Sequence, residues 1–210
     1  MTKQPPSALL RARWLEALLP AVAFDGWTSV AAKAAAKEAG LTANEQALAA
    51  PRGIPDLVDA FFDIAETSAR AELEAMDLSG LSVREKVAAG LNAWLAALAP
   101  NREAARRAMQ RGFLPWVAGD AMQRTWSASD MIWTAIGDTS EDYNKYSKRG
   151  LLAAIIPIIF LKWLDEPDQD DLNAYIAERL TQAMRAGQAG GRIAGPLLSA
   201  IGRVWSARRP

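Results

Sequence analysis

The chain of 210 residues contains no cysteine and no histidine, and this double absence excludes more function classes than any one motif suggests. Without Cys there is no thiolate nucleophile, no disulfide and no sulfur ligand. Without His there is no imidazole base, no Ser-His-Asp triad and no histidine-based metal site. A carboxylate-only site survives this elimination, but no run of spaced Asp and Glu has the form of an oxygen-ligand loop. No metal, no cofactor and no catalytic residue is expected, and the chain reads as a non-enzyme.

Excess charge of either sign is also missing, because 24 Lys and Arg balance 24 Asp and Glu. The whole chain therefore lacks the positive field that favours non-specific binding to nucleic acid. Long apolar runs are scarce too. The longest, Gly150 to Leu161, contains Pro157 and is shorter than the roughly 20 residues of a spanning helix, so it is expected as a buried core helix. The opening Met1-Thr2-Lys3-Gln4-Pro5-Pro6 has neither an apolar h-region nor the Arg-rich character of a transit peptide, which points to a cytoplasmic protein.

What is present is helical periodicity from end to end, with no alternating β-branched stretches separated by hairpin turns. The fold class is all-α, with nine to ten helices in one unit and no repeat of fixed period. Leu10, Trp14, Leu18 and Val22 mark the first helix, which Asp25-Gly26 closes. Thr28 caps a second that Gly40 stops, and Thr42 with Glu45 forms a capping box for a third. Pro51-Arg52-Gly53 breaks the chain before a long helix through Phe61 and Phe62 to about Leu78, and Ser82 with Glu85 repeats the capping box. Later helices run from Val83 to Pro100, from Asn101 to Gly112, from about Trp116 to Ile136, from Tyr143 to Leu164, and through Leu172 to Met184.

Residues 1–50 have the spacing of a helix-turn-helix head but not its chemistry. The segment that would enter the groove, Thr42 to Ala50, offers Asn44 and Gln46 for base edges but no Lys or Arg for phosphates. We expect a degenerate head on a helical body at 51–187, with no nucleic-acid partner. A ligand-responsive transcription regulator of TetR type is the alternative reading.

Gly187, Gly190 and Gly191 read as a joint before a tail at 188–210. At roughly 100° per residue, Ile193, Leu197, Leu198, Ile201, Val204 and Trp205 share one arc, with Arg192 and Arg203 on the far side. No acid follows Glu178 while six arginines do, so the tail suits an anionic membrane surface, with Trp205 as an interfacial anchor. Docking of the same helix on its own domain fits the pattern as well.

Eight Trp and six Met are many for this length. Trp94, Met122, Trp126, Met131, Trp133 and Trp163 lie in the helical body at 51–187, the expected ligand-binding part. Taken alone, they serve either a packed core or an apolar ligand pocket.

The segment Gly137-Asp138-Thr139-Ser140-Glu141-Asp142-Tyr143-Asn144-Lys145-Tyr146-Ser147-Lys148-Arg149 leads into Leu151-Leu152-Ala153. Locally, Asp138 or Thr139 reads as a helix N-cap with Glu141 or Asp142 in the first turn. The whole segment resembles the D-T-S-x-D-x-N-x-Y-[ST]-[KR]-R run of the ubiquinone-biosynthesis accessory family, and the head, the Trp163-Leu164-Asp165 exit and the basic tail extend the resemblance over essentially the whole chain. The resemblance implies a TetR-regulator-like bundle with a C-terminal amphipathic helix, a homodimer, and a role as peripheral membrane lipid-binding accessory. The expected ligand is an isoprenoid, a quinone intermediate or a phospholipid, in a pocket made by the Trp and Met residues above with Tyr146, Ile155 and Ile159. The family implies presentation of that ligand to the di-iron demethoxyubiquinone hydroxylase through a surface here formed by Tyr143, Lys145 and Tyr146. It also implies a place at a bacterial inner membrane, or on the matrix side of a mitochondrion. Lys145 stands where the family commonly has Trp, and Pro157 where it more often has small or hydroxyl residues.

Overall fold

The structure, a computed structural model, describes the backbone of residues 5–112, 118–140 and 143–206, and the side chains of these residues apart from 143–144 and 188–206. The described residues contain no strand. They form α1 (Pro6–Asp25), α2 (Ser29–Glu38), α3 (Ala43–Ala49), α4 (Ile54–Ala75), α5 (Val83–Leu98), α6 (Arg102–Gly112), α7 (Ala118–Ala135), α8 (Tyr143–Leu164) and α9 (Gln169–Ser206), with a 3-10 turn at Ala99–Asn101. No helix among the described residues is long and apolar enough to cross a membrane.

Local chemistry sets most of the boundaries. The Thr42 hydroxyl accepts the Glu45 N–H while the Glu45 carboxylate accepts the Thr42 N–H, which starts α3 with the expected capping box. Ser82 and Glu85 repeat the arrangement immediately before α5. The end of α7 is a Schellman motif: Gly137, at φ +81°, donates to the Thr134 carbonyl, and Asp138 donates to that of Trp133. That left-handed backbone is costly for any residue with a Cβ, which explains glycine at this position.

The chain divides into two compact units, Met1–Glu72 with Ala93–Arg124, and Leu73–Asn92 with Thr125–Pro210. The division differs from the head, body and tail read from the sequence. Because α4, α5 and α7 each supply residues to both units, no linker composition marks it.

In the first unit α1 packs on α2, α3 and α6. The α1 stripe of Trp14, Leu15, Leu18 and Val22 is buried, as expected from its period. Two indoles tie the unit together: Trp14 Nε1 of α1 donates to the Ala32 carbonyl of α2 at 2.8 Å, and Trp27 Nε1 in the α1–α2 loop donates to the Ala104 carbonyl of α6 at 2.9 Å. An aromatic row, Trp27, Phe61, Phe62 and Trp94, fills the interior with ring centroids 5.2 to 6.3 Å apart.

In the second unit α8 packs on α9. Leu152, Ile156, Ile159, Phe160 and Trp163 are buried, as a core helix requires, but Ile158 and Leu161 on the same helix are exposed. α8 is helical through Pro157. A Cβ added at Gly90 would come within 2.6 Å of Ile132 Cγ2, so this glycine inside α5 permits close approach to a buried, β-branched neighbour. Gly187 also faces packing, since its Cβ would meet Leu151 at 2.6 Å. The backbone continues helical through Gly187, Gly190 and Gly191 to Ser206, so no break in the helix marks the joint read at these glycines.

Candidate functional site

The Asp138–Arg149 segment converges on one carboxylate. The Schellman turn delivers Asp138 to the start of the loop between α7 and α8, and α8 returns Lys148 and Arg149 to it. Asp138 Oδ1 accepts from Ser140 Oγ at 2.9 Å and from Lys148 Nζ at 3.0 Å, while Oδ2 accepts from Arg149 Nη1 at 3.1 Å. Lys148 also donates to Ser140 Oγ at 2.9 Å. Arg149, buried to 3% exposure, donates through Nε to Asp130 of α7 and through Nη1 to the Lys145 carbonyl. The buried Ser129 hydroxyl donates to the Arg149 carbonyl. The Lys148 ammonium sits 5.3 Å over the ring of Trp133.

Burial alone pushes the Asp138 carboxyl up, but hydrogen bonds from Lys148, Ser140 and Arg149 outweigh it and hold the group below the usual aspartate range. The cluster is thus a charged, satisfied network that locks the loop to both helices. The helix-cap reading of Asp138 captures little of this, since every described side-chain bond of Asp138 goes to the cluster. Glu141 and Asp142, the other half of the capping pattern, lie outside the described residues.

The nine residues read as a lipid pocket do not share one unit. Trp94 and Met122 fall in the first and the other seven in the second. Trp94, Met131, Trp133, Ile159 and Trp163 are buried and Ile155 is half-buried, but Met122 is 73% exposed. Trp126 and Tyr146 stack on each other at 6.5 Å, both partly open to solvent. Met122, Trp126 and Tyr146 therefore form surface, because helical spacing gives a stripe its period and not the side on which it is covered.

Of the expected partner surface, Tyr146 is exposed and Lys145 half-buried, whereas the Tyr143 side chain lies outside the described ones. The same holds for the tail residues Arg192, Ile193, Leu197, Leu198, Ile201, Arg203, Val204 and Trp205, whose backbone alone is described, as part of α9. In the head, Gln46 Nε2 donates to the Leu41 carbonyl and Glu45 serves the capping box, so these two side chains serve the start of α3. Arg52 is tied to Asp56, Asp59 and Asp120.

Two members of the cluster, Ser129 and Asp130, are absent from the sequence reading. They sit in the middle of α7, about two turns before the motif, and only the contact of α7 with α8 brings them in. The preceding apolar stripe offered the one available signal, a polar pair beside Met131 and Ile132.

The chain is similar to known proteins in both sequence and fold. Residues 118–187 match the COQ9 family model, a span that contains the entire cluster. The probable ubiquinone biosynthesis protein coq9 of Dictyostelium discoideum mitochondria is 30% identical over 172 residues, covering 79% of this chain and 56% of that protein. The mitochondrial ubiquinone biosynthesis protein COQ9 of Homo sapiens is 28% identical over 187 residues, covering 85% of this chain and 58% of that protein. The chain thus spans a little over half the length of these relatives. The crystal structure of a TetR transcriptional regulator from Nitrosomonas europaea superposes with a TM-score of 0.66 at 20% identity, over 84% of this chain and 98% of that one. The fold is all-α and TetR-like, and at this identity the likeness concerns fold alone.

Proposed function

We propose, from the premise that the chain carries the COQ9 domain at residues 118–187, that it is a non-catalytic accessory protein of ubiquinone biosynthesis. In this reading it takes up an isoprenoid, a quinone intermediate or a phospholipid at a membrane surface and presents it to a biosynthetic enzyme, the di-iron demethoxyubiquinone hydroxylase being the partner the resemblance implies. The observation that carries the reading is the coincidence of the matched span with the Asp138 cluster, whose side chains bond to one another and to the backbone. A chain without His or Cys suits binding and presentation better than chemistry on the ligand.

Further features support parts of this reading. Ala154, Ile158 and Leu161 are exposed on α8 at a spacing of four and three residues, an apolar face that suits a homodimer contact. The half-open Trp126–Tyr146 stack suits a protein partner, since aromatic side chains are enriched at interfaces. The basic amphipathic pattern of 192–205 suits an anionic membrane. The relatives are named as mitochondrial, and we take this chain to work peripherally at a bacterial inner membrane or its mitochondrial counterpart.

Flotation with vesicles containing anionic lipid tests the membrane part. Wild-type protein should float with them and the Arg192→Glu, Arg203→Glu double variant should not. Equal flotation of the two would remove the tail from the account. A TetR-like transcription regulator is the second reading, favoured by the fold likeness. It requires salt-sensitive binding of the dimer to a palindromic operator, and a gel shift at low salt with the upstream DNA distinguishes it.

A further inference from the structure

The Trp133 indole is 8% exposed, yet its Nε1–H has no hydrogen-bond partner among the described residues. An indole N–H is donor only and is costly to bury unmatched, so an acceptor is missing from its surroundings. The groups beside it do not supply one. Lys148, over the ring, is itself a donor engaged with Asp138 and Ser140. Both Asp138 oxygens accept from cluster donors, Asp130 accepts from Arg149, and the Ser129 hydroxyl is turned to the Arg149 carbonyl. The Trp133 carbonyl takes the Asp138 N–H, which anchors the backbone of Trp133 in the same Schellman turn that positions the cluster.

We propose that Trp133 Nε1 is the donor that recognises a carbonyl oxygen on an otherwise apolar ligand, and that the Asp138–Lys148–Arg149 cluster holds the indole in place for it. The inference rests on the lipid-binding reading above and adds a specificity-determining group to it. The carbonyl belongs to a quinone ring or to a phospholipid ester, the two sources that share this chemistry. With both Asp138 oxygens taken up by cluster donors, the group on offer is a neutral N–H, so a neutral acceptor is selected over an anionic headgroup.

Trp133→Phe keeps a ring under Lys148 and removes only the donor and part of the bulk. Dissociation constants are measured by partition from cyclodextrin for four probes: a benzoquinone with a two-isoprene tail, the two-isoprene hydrocarbon alone, a diacyl phosphatidylcholine, and its dialkyl ether analogue. The proposal expects the variant to bind one carbonyl-bearing probe about 3- to 10-fold more weakly than wild type, the range of one neutral hydrogen bond, with its carbonyl-free counterpart unchanged. Which probe is affected identifies the source. Equal weakening of a probe and its carbonyl-free counterpart assigns Trp133 to packing and overturns the proposal, as does no weakening. If wild-type protein binds none of the four, the lipid reading falls and this inference with it, whereas wild-type binding with an indifferent variant sinks the inference alone. Should the Phe variant not fold, the Trp133 indole ¹⁵N–H resonance of wild-type protein, assigned through bonds, decides. A downfield shift with the quinone or the diacyl lipid, and none with the matching counterpart, supports the proposal, and an unmoved resonance contradicts it.

Discussion

Each unit holds a cluster of basic side chains and aspartates, and the two central arginines, Arg52 and Arg149, differ in burial. In the first, Arg52 bonds Asp56, Asp59 and Asp120 while Arg124 bonds Asp59, but the Arg52 side chain is 54% exposed. In the second, Arg149 and Asp138 are both almost fully enclosed. Water reaches the Arg52 guanidinium and screens its pairs, although Asp56 itself is buried, so those pairs contribute little. The second set has exchanged hydration for one another, so loss of either partner strands a buried charge. The same residue types thus serve as surface pairing in one unit and as a lock on the matched family segment in the other.

The largest effect should come from opening the buried lock. Arg149→Met leaves Asp138 and Asp130 without their guanidinium and is expected to destabilise by about 3–5 kcal/mol in urea unfolding. Next comes a test of packing in the same unit. Gly90→Ala places a methyl against Ile132 and should cost about 1–3 kcal/mol, although alanine is the better helix former. In the first unit Arg52→Met should cost about 1 kcal/mol or less. A loss as large as that of Arg149→Met would break the contrast.

Acid sharpens the comparison further. The Asp138 carboxyl is held below its unfolded value of about 3.9, so its contribution is fully present above roughly pH 4 and is lost as pH falls through the folded value. Asp138→Asn should remove that acid-labile portion from the stability curve. Asp63 in the first unit behaves oppositely, because partial desolvation of this exposed residue and then the charge of Asp59 raise its carboxyl above the usual range. Its ionisation therefore opposes folding as pH rises, and Asp63→Asn should raise the unfolding midpoint at pH 7. A lower midpoint would contradict the sign.

Features set by a few neighbouring residues were legible in the sequence. The Thr42–Glu45 and Ser82–Glu85 capping boxes and the stop at Gly40 all depend on contacts over three to five positions. The family resemblance was legible as well, because its motif is contiguous. The Asp138 cluster was not, since Lys148 and Arg149 lie ten and eleven residues beyond Asp138 and Asp130 joins from another helix. Nor did the Trp and Met count tell which side chains are covered: Met131 and Trp133 are buried, while Met122 and Trp126, on the same helix, reach the surface.

The claim that this chain takes up an apolar lipid without transforming it is tested most directly by native mass spectrometry of the purified protein. The account predicts mass adducts that organic extraction releases as isoprenoid, quinone or phospholipid. Protein at its bare mass that also acquires no adduct when a short-tailed benzoquinone is added would contradict it.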